Sequence, residues 1–138
     1  MVRYFYEEVS FRIPFPRKTV RWIRNAINQE GYKLDALNII FCEDRYLANL
    51  NEKYLDHNTF TDIITFDYSK ENNVVNGELY ISVPRVKENA AKFNVSMDIE
   101  IYRVIIHGIL HLMGYSDKTL SKKQQMRKKE DSYLSLRS

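Results

Sequence analysis

The chain of 138 residues contains a single cysteine, Cys42, which excludes an internal disulfide and any zinc site built from cysteines. Cys42 ends an apolar run and reads as a small core residue. No hydrophobic run is long enough to cross a membrane, and the most apolar stretch, Val104 to Met113, is interrupted by two histidines and a glycine. The N-terminal Met-Val-Arg-Tyr-Phe-Tyr-Glu-Glu places acids where a secretory leader would be apolar. A cytoplasmic protein with no membrane partner is therefore expected. Internal repeats, low-complexity tracts and linkers are also missing, so the chain should form one domain over residues 1–138 with one core. An excess of one charge is nearly absent, with 21 Lys and Arg against 18 Asp and Glu. Aromatic residues are plentiful, ten Tyr and seven Phe, which argues against disorder.

The chemistry concentrates in His107-Gly-Ile-Leu-His111-Leu-Met-Gly114-Tyr-Ser-Asp117. The stretch reads as a buried helix, and two imidazoles inside such a helix are costly unless something satisfies them. A four-residue spacing puts His107 and His111 on one helical face, one turn apart, where both nitrogens can reach one divalent cation. Gly114 can stop the helix in a left-handed turn. The returning chain then offers Asp117 as a third ligand, at the separation seen in metzincin metalloproteases. Those enzymes carry a glutamate base directly after the first His, and here that position is Gly108, so a protease reading loses its base. Zinc, one ion per chain, suits two imidazoles and a carboxylate best, while nickel, manganese or iron also fit. Glu130 and Asp131 are the fallback choices for the third ligand.

His-Gly-x-Leu-His-Leu-x-Gly-Tyr resembles the signature of the YbeY family of rRNA-processing endoribonucleases. The resemblance extends to Leu50-Asn51, Tyr54, Thr61-Asp62-Ile63-Ile64-Thr65-Phe66 and Gly77-Glu78-Leu79-Tyr80-Ile81-Ser82. It implies a metal-dependent, single-strand-specific endoribonuclease of rRNA maturation and ribosome quality control. Its partners would be an rRNA precursor and the ribosome or its assembly factors. The chain departs from the family pattern at three positions. Asp117 stands where the family has a third His, Leu55 where it has an Arg, and Glu78 where it has an Asp. Glu78 is a catalytic candidate through this resemblance alone. A different function class stays open beside the enzyme, a non-catalytic ribosome-assembly binding module with a structural metal.

Positive charge gathers at the C-terminus, where residues 117–138 hold seven Lys and Arg against three Asp and Glu. Lys122, Lys123 and Arg127 are RNA-contact candidates there, as are Arg17, Arg21 and Arg24 along an earlier helix, although a solvated helix face is the plainer reading of both groups. Periodicity predicts strands over Val2–Glu7, Leu34–Cys42, Thr61–Tyr68 and Glu78–Val83. Helices are expected from Arg17 to Glu30, from Asp44 to Tyr54, from Pro84 to Phe93, after a Ser96 cap, and from Ser121 to Leu134. A loop over Leu55–Phe60 would hold His57, and Glu71–Gly77 would be a loop or hairpin turn. The sum is an α+β domain, a mixed four-stranded sheet with about five helices packed on it.

Overall fold

A computed structural model describes residues 1–55 and 61–137. Of the loop expected over Leu55–Phe60, residues 56–60 with His57 lie outside them, and Leu55 ends a helix instead. The elements run β1 (Val2–Tyr6), α1 (Pro16–Gln29), β2 (Lys33–Cys42), α2 (Asp44–Leu55), β3 (Ile63–Asp67), β4 (Val74–Ser82), α3 (Val83–Lys92), α4 (Met97–Leu112) and α5 (Leu120–Ser135). The four strands form one sheet in the order β1-β2-β4-β3, with β1, β2 and β4 parallel and β3 antiparallel at an edge. This is an α+β domain with a mixed sheet and five helices.

Strand β4 starts four residues earlier than the alternation predicts. Asn76-Gly77 reads locally as a turn, yet Val74 and Val75 pair with Lys33 and Leu34 of β2, and Val75 is fully buried. Burial of β-branched side chains outweighs the local turn propensity. The chain reverses instead between β3 and β4, where Asn73 takes a left-handed conformation at φ 60°. Pro16 opens α1 one residue early, as a proline in the first turn can. Ser96 caps α4 as its spacing predicts, its hydroxyl accepting from the Ile99 N–H at 3.2 Å.

The sheet has two unequal faces. Leu37, Ile39 and Phe41 of β2 and Val75, Leu79 and Ile81 of β4 point into the main core, shared with α1, α3, α4 and α5. On the other face a smaller cluster of Cys42, Leu47 and Ile64 packs with Leu50, Phe66 and Tyr80 beneath α2. Helix α4 is buried nearly all round, from Ile101 to Leu112. It lies so close to the sheet that a Cβ at Gly108 would sit 2.7 Å from Ile63 Cδ1 and 2.8 Å from Leu79 Cδ2. A glutamate there would have to push the Ile63 and Leu79 side chains aside, which gives the missing protease base a packing cause.

Gly77 is tighter still, because a Cβ there would collide with the Phe66 backbone carbonyl and meet Leu112 Cδ2 at 3.2 Å. A backbone oxygen in a paired strand cannot yield as a side chain can. Gly77→Ala should therefore destabilise the fold by about 3 kcal/mol. Gly31→Ala meets open space and only the left-handed strain of φ 79°, so about 1 kcal/mol is expected. Urea midpoints of the two variants check the order, and equal shifts would contradict the clash at Gly77.

Candidate metal centre

Helix α4 presents His107 and His111 on the same face near its C-terminal end, and their Nε2 atoms stand 3.0 Å apart. The helix then stops. Gly114 takes φ 93°, and the Gly114 and Tyr115 N–H groups bond back to the carbonyls of His111 and Leu110, both at 3.0 Å. This turn swings Asp117 back, with its Oδ2 at 3.5 Å from each Nε2.

The other ring nitrogens fix the tautomers. His107 Nδ1–H donates to Glu130 Oε2 at 2.6 Å, and His111 Nδ1–H donates to the Tyr115 carbonyl at 3.1 Å. A carboxylate and a carbonyl can only accept, so a neutral ring at either position carries its proton on Nδ1 and turns an Nε2 lone pair inward. Three acceptors, two imidazole nitrogens and a carboxylate oxygen, then converge with no donor among them. Bonds of about 2.0–2.2 Å at tetrahedral angles would put such ligand atoms roughly 3.3 Å apart, close to the spacing observed. The residues therefore fit a small divalent cation.

Surrounding groups hold these ligands rigidly. Glu130 of α5 is 4% exposed, and its second oxygen accepts from Arg103 Nη1 at 3.0 Å, while Arg103 also donates to Asp131 at 2.7 Å. Burial alone would lower the His107 pKa. The Glu130 hydrogen bond and the charges of Glu130, Asp117 and Asp62 outweigh burial, and the pKa is raised. The same acidic surroundings that favour a proton on this ring would favour a bound cation at its Nε2 in the proton's place. Tyr115 is anchored in turn, its hydroxyl donating to Glu30 Oε1 at 2.6 Å. Glu30 also accepts from Lys129 Nζ at 3.1 Å and from the Tyr133 hydroxyl. Burial opposes the Glu30 charge, but these hydrogen bonds prevail and hold its carboxyl below the usual range. A chain of hydrogen bonds therefore runs from the end of α1 through Tyr115 to His111.

Two clefts meet at the centre and share Asp62, His107 and Asp117 as walls. One, of about 710 Å³, opens between α3, α4 and α5 and includes Phe93, Lys123, Arg127 and Glu130. The other, of about 620 Å³, runs along β3 past Asn51, Thr65, His111 and Lys118. Asp62, just ahead of β3, accepts from Asn89 Nδ2 at 3.4 Å. Burial raises its pKa, against the opposing pull of His107 and Arg85.

Of the cationic candidates, Lys123 and Arg127 line the larger cleft, whereas Lys122 lies beside the Gly114 turn near Glu30 and Tyr32. Arg17, Arg21 and Arg24 are exposed on α1 and line neither cleft at the centre. Glu78 is not brought to the cluster. Alternation along β4 turns Gly77 and Leu79 toward α4 and leaves Glu78 on the opposite face, where its carboxylate accepts from Asn38, Tyr68 and Tyr80. The catalytic role expected of it is therefore withdrawn. Glu130, the fallback ligand, holds the outer nitrogen of His107 instead. Asp62, Arg103 and Glu30 went unassigned in the sequence because they lie 27 or more residues from the partners they serve, beyond the reach of helical spacing.

Residues 7–137 match the family model described as Endoribonuclease YbeY. A protein named Endoribonuclease YbeY from Amoebophilus asiaticus is 46% identical over 133 residues, covering 96% of this chain and 90% of its own length. One of the same name from Cytophaga hutchinsonii is 42% identical, covering 97% of this chain and 94% of its own. The solution structure of TM1509 from Thermotoga maritima superposes with a TM-score of 0.68 at 27% identity, covering 99% of this chain and 89% of that one. Signature, fold and near full-length identity agree, and the chain belongs to the YbeY endoribonuclease family.

Proposed function

We propose that this chain is a zinc-dependent endoribonuclease that cuts single-stranded RNA, with rRNA precursors in the cytoplasm as its substrate. The observation that carries the reading is the convergence of three lone-pair donors where two clefts meet. His107, His111 and Asp117 would hold the ion. Bound there, zinc supplies Lewis acidity toward a phosphoryl oxygen and lowers the pKa of a water to about 7. A purely structural zinc would call for a fourth protein ligand, and the nearby Glu130 is committed to His107 and Arg103.

The chain's own residues do the rest. Lys123 and Arg127 bind phosphates on one side of the centre and Lys118 on the other. Asp62 faces both clefts and serves as the proton carrier. Water adds to phosphorus, one P–O ester bond breaks, and Asp62 takes the proton from the water and returns it to the departing oxygen. Single strands are favoured because their backbone can bend through a junction of clefts that a duplex cannot enter. The ribosome or its assembly factors as partners, and a part in ribosome quality control, rest on the family resemblance.

Incubating labelled single-stranded RNA and a matched duplex with the zinc-loaded protein tests this reading. The expected result is internal cleavage of the single strand, suppressed by a chelator and absent from His107→Ala. Cleavage that persists in the variant would overturn it.

A further inference from the structure

Phe93 stands where α3 ends and is 52% exposed. Its backbone is not loose. Its N–H bonds to the Asn89 carbonyl at 2.9 Å, and Asn94, with φ 57°, turns the chain so that the Val95 N–H closes on Ala90 at 3.0 Å. A large apolar ring is thus held out toward water on a fixed stem, with the Lys92 ammonium 5.8 Å from its centroid. It also lines the 710 Å³ cleft that reaches His107 and Asp117. Phe5 and Phe15 are exposed as well, yet neither lines a cleft at the centre.

The same cleft is lined by cations. Lys123 and Arg127 are four residues apart on α5 and so share a face. Among the described residues no carboxylate pairs with Lys123, and Arg127 reaches only Glu130, at 3.7 Å. Four acids also line the cleft, and each has its own setting: Asp117 belongs to the metal cluster, Asp62 accepts from Asn89, Glu130 is occupied by His107 and Arg103, and burial raises the pKa of Glu100. Val104 and Met126 supply an apolar floor. An exposed ring and two cations lining one partly apolar slot match a nucleotide, with a base to stack and a phosphate to neutralise. The volume lies within the roughly 300–1,000 Å³ typical of small-ligand sites.

We propose that this cleft is a nucleobase-stacking subsite beside the metal centre. The Phe93 ring takes a base next to the scissile phosphate, and Lys123 and Arg127 take the adjoining phosphates. The subsite rests on the reading of the chain as an RNA-binding enzyme, and it names the side of the centre on which the strand is gripped. The ring carries no acid, base or metal-ligating atom, so it acts on binding alone.

Anisotropy of a fluorescein-labelled single-stranded RNA of about ten nucleotides, with zinc chelated to stop cleavage, tests it. Phe93→Ala should weaken binding about tenfold, toward the lower end of the range for removing one base–aromatic stack. Its salt dependence should stay as in the wild type. Lys123→Gln with Arg127→Gln should instead flatten the log–log salt slope by about 0.7 for each phosphate that goes unneutralised. Phe93→Trp should keep the affinity, and single strands but not duplex should quench the new indole, because Trp22 is 6% exposed and out of reach. Unchanged affinity in Phe93→Ala would overturn the subsite even if the enzyme cuts RNA. Equal quenching by duplex, or no RNA binding by the wild type, would overturn it too. Tenfold weakening in a protein that binds but never cuts would leave the subsite standing and remove the proposed activity.

Discussion

His111→Ala should lose stoichiometric zinc and, with it, RNA cleavage, while keeping its fold. Three protein atoms converge on the centre, and the variant removes one of the two nitrogens that stand 3.0 Å apart. Two ligands hold a divalent cation far more weakly than three, and two neighbouring groups are already engaged. Glu130 is bound to His107 and Arg103, and the Tyr115 carbonyl lies on the outer side of the ring. Changing an outer partner of a metal site typically costs 10–100-fold in affinity. Removing a ligand should therefore exceed about a hundredfold, and Glu130→Gln should fall within that lower range. Metal per chain, measured by elemental analysis after dialysis, checks the order. Metal content in His111→Ala equal to wild type would show that the cluster does not hold the ion. Asp117 gives a companion arm. Asp117→Asn should weaken zinc binding strongly, and Asp117→His should largely preserve it, because imidazole and carboxylate are both zinc ligands.

How much of this was legible beforehand follows from how far apart in sequence the interacting groups lie. His107 and His111 are one helical turn apart, and the four-residue interval alone places them together. Asp117 required one further inference, that Gly114 reverses the chain, and the left-handed φ at that glycine is what turns it. The supports of the site could not be read this way. Glu130 reaches His107 from another helix, and Glu30 reaches Tyr115 across 85 residues, so only the packed fold brings them together. Glu78 failed for the opposite reason. Its local strand was legible, but family resemblance assigned it chemistry while alternation in β4 faces it away from α4. Gly108 looked like a loss of function relative to proteases, and the structure shows a helix packed so close to Ile63 and Leu79 that a side chain there would displace their ends. The larger architecture was easier, since long periodic segments mark the helices and strands, and the mixed sheet follows from their order.

Asp62→Asn should cut RNA cleavage by about 10²–10⁴-fold, the usual share of a positioned acid–base group, and leave zinc content unchanged. Asparagine keeps the shape of the side chain and can still meet Asn89, so the clefts should survive. What it gives up is the ability to take up a proton. Asp62 is suited to that task by position, since it faces both clefts beside His107, whereas Glu78 lies across the sheet. It is not part of the convergent cluster, whose oxygen comes from Asp117. Metal binding and proton transfer are thus assigned to different carboxylates, and the two can be separated by experiment. Single-strand affinity should hold or improve in Asp62→Asn, because a negative charge leaves a site meant for phosphate. The decisive comparison is cleavage rate against zinc content and RNA affinity for the same preparation. Loss of zinc alongside activity would make Asp62 a support of the metal. Full activity with zinc bound would show that the proton travels through another group. A slow enzyme with full zinc and intact RNA binding is the result that the placement of Asp62 requires.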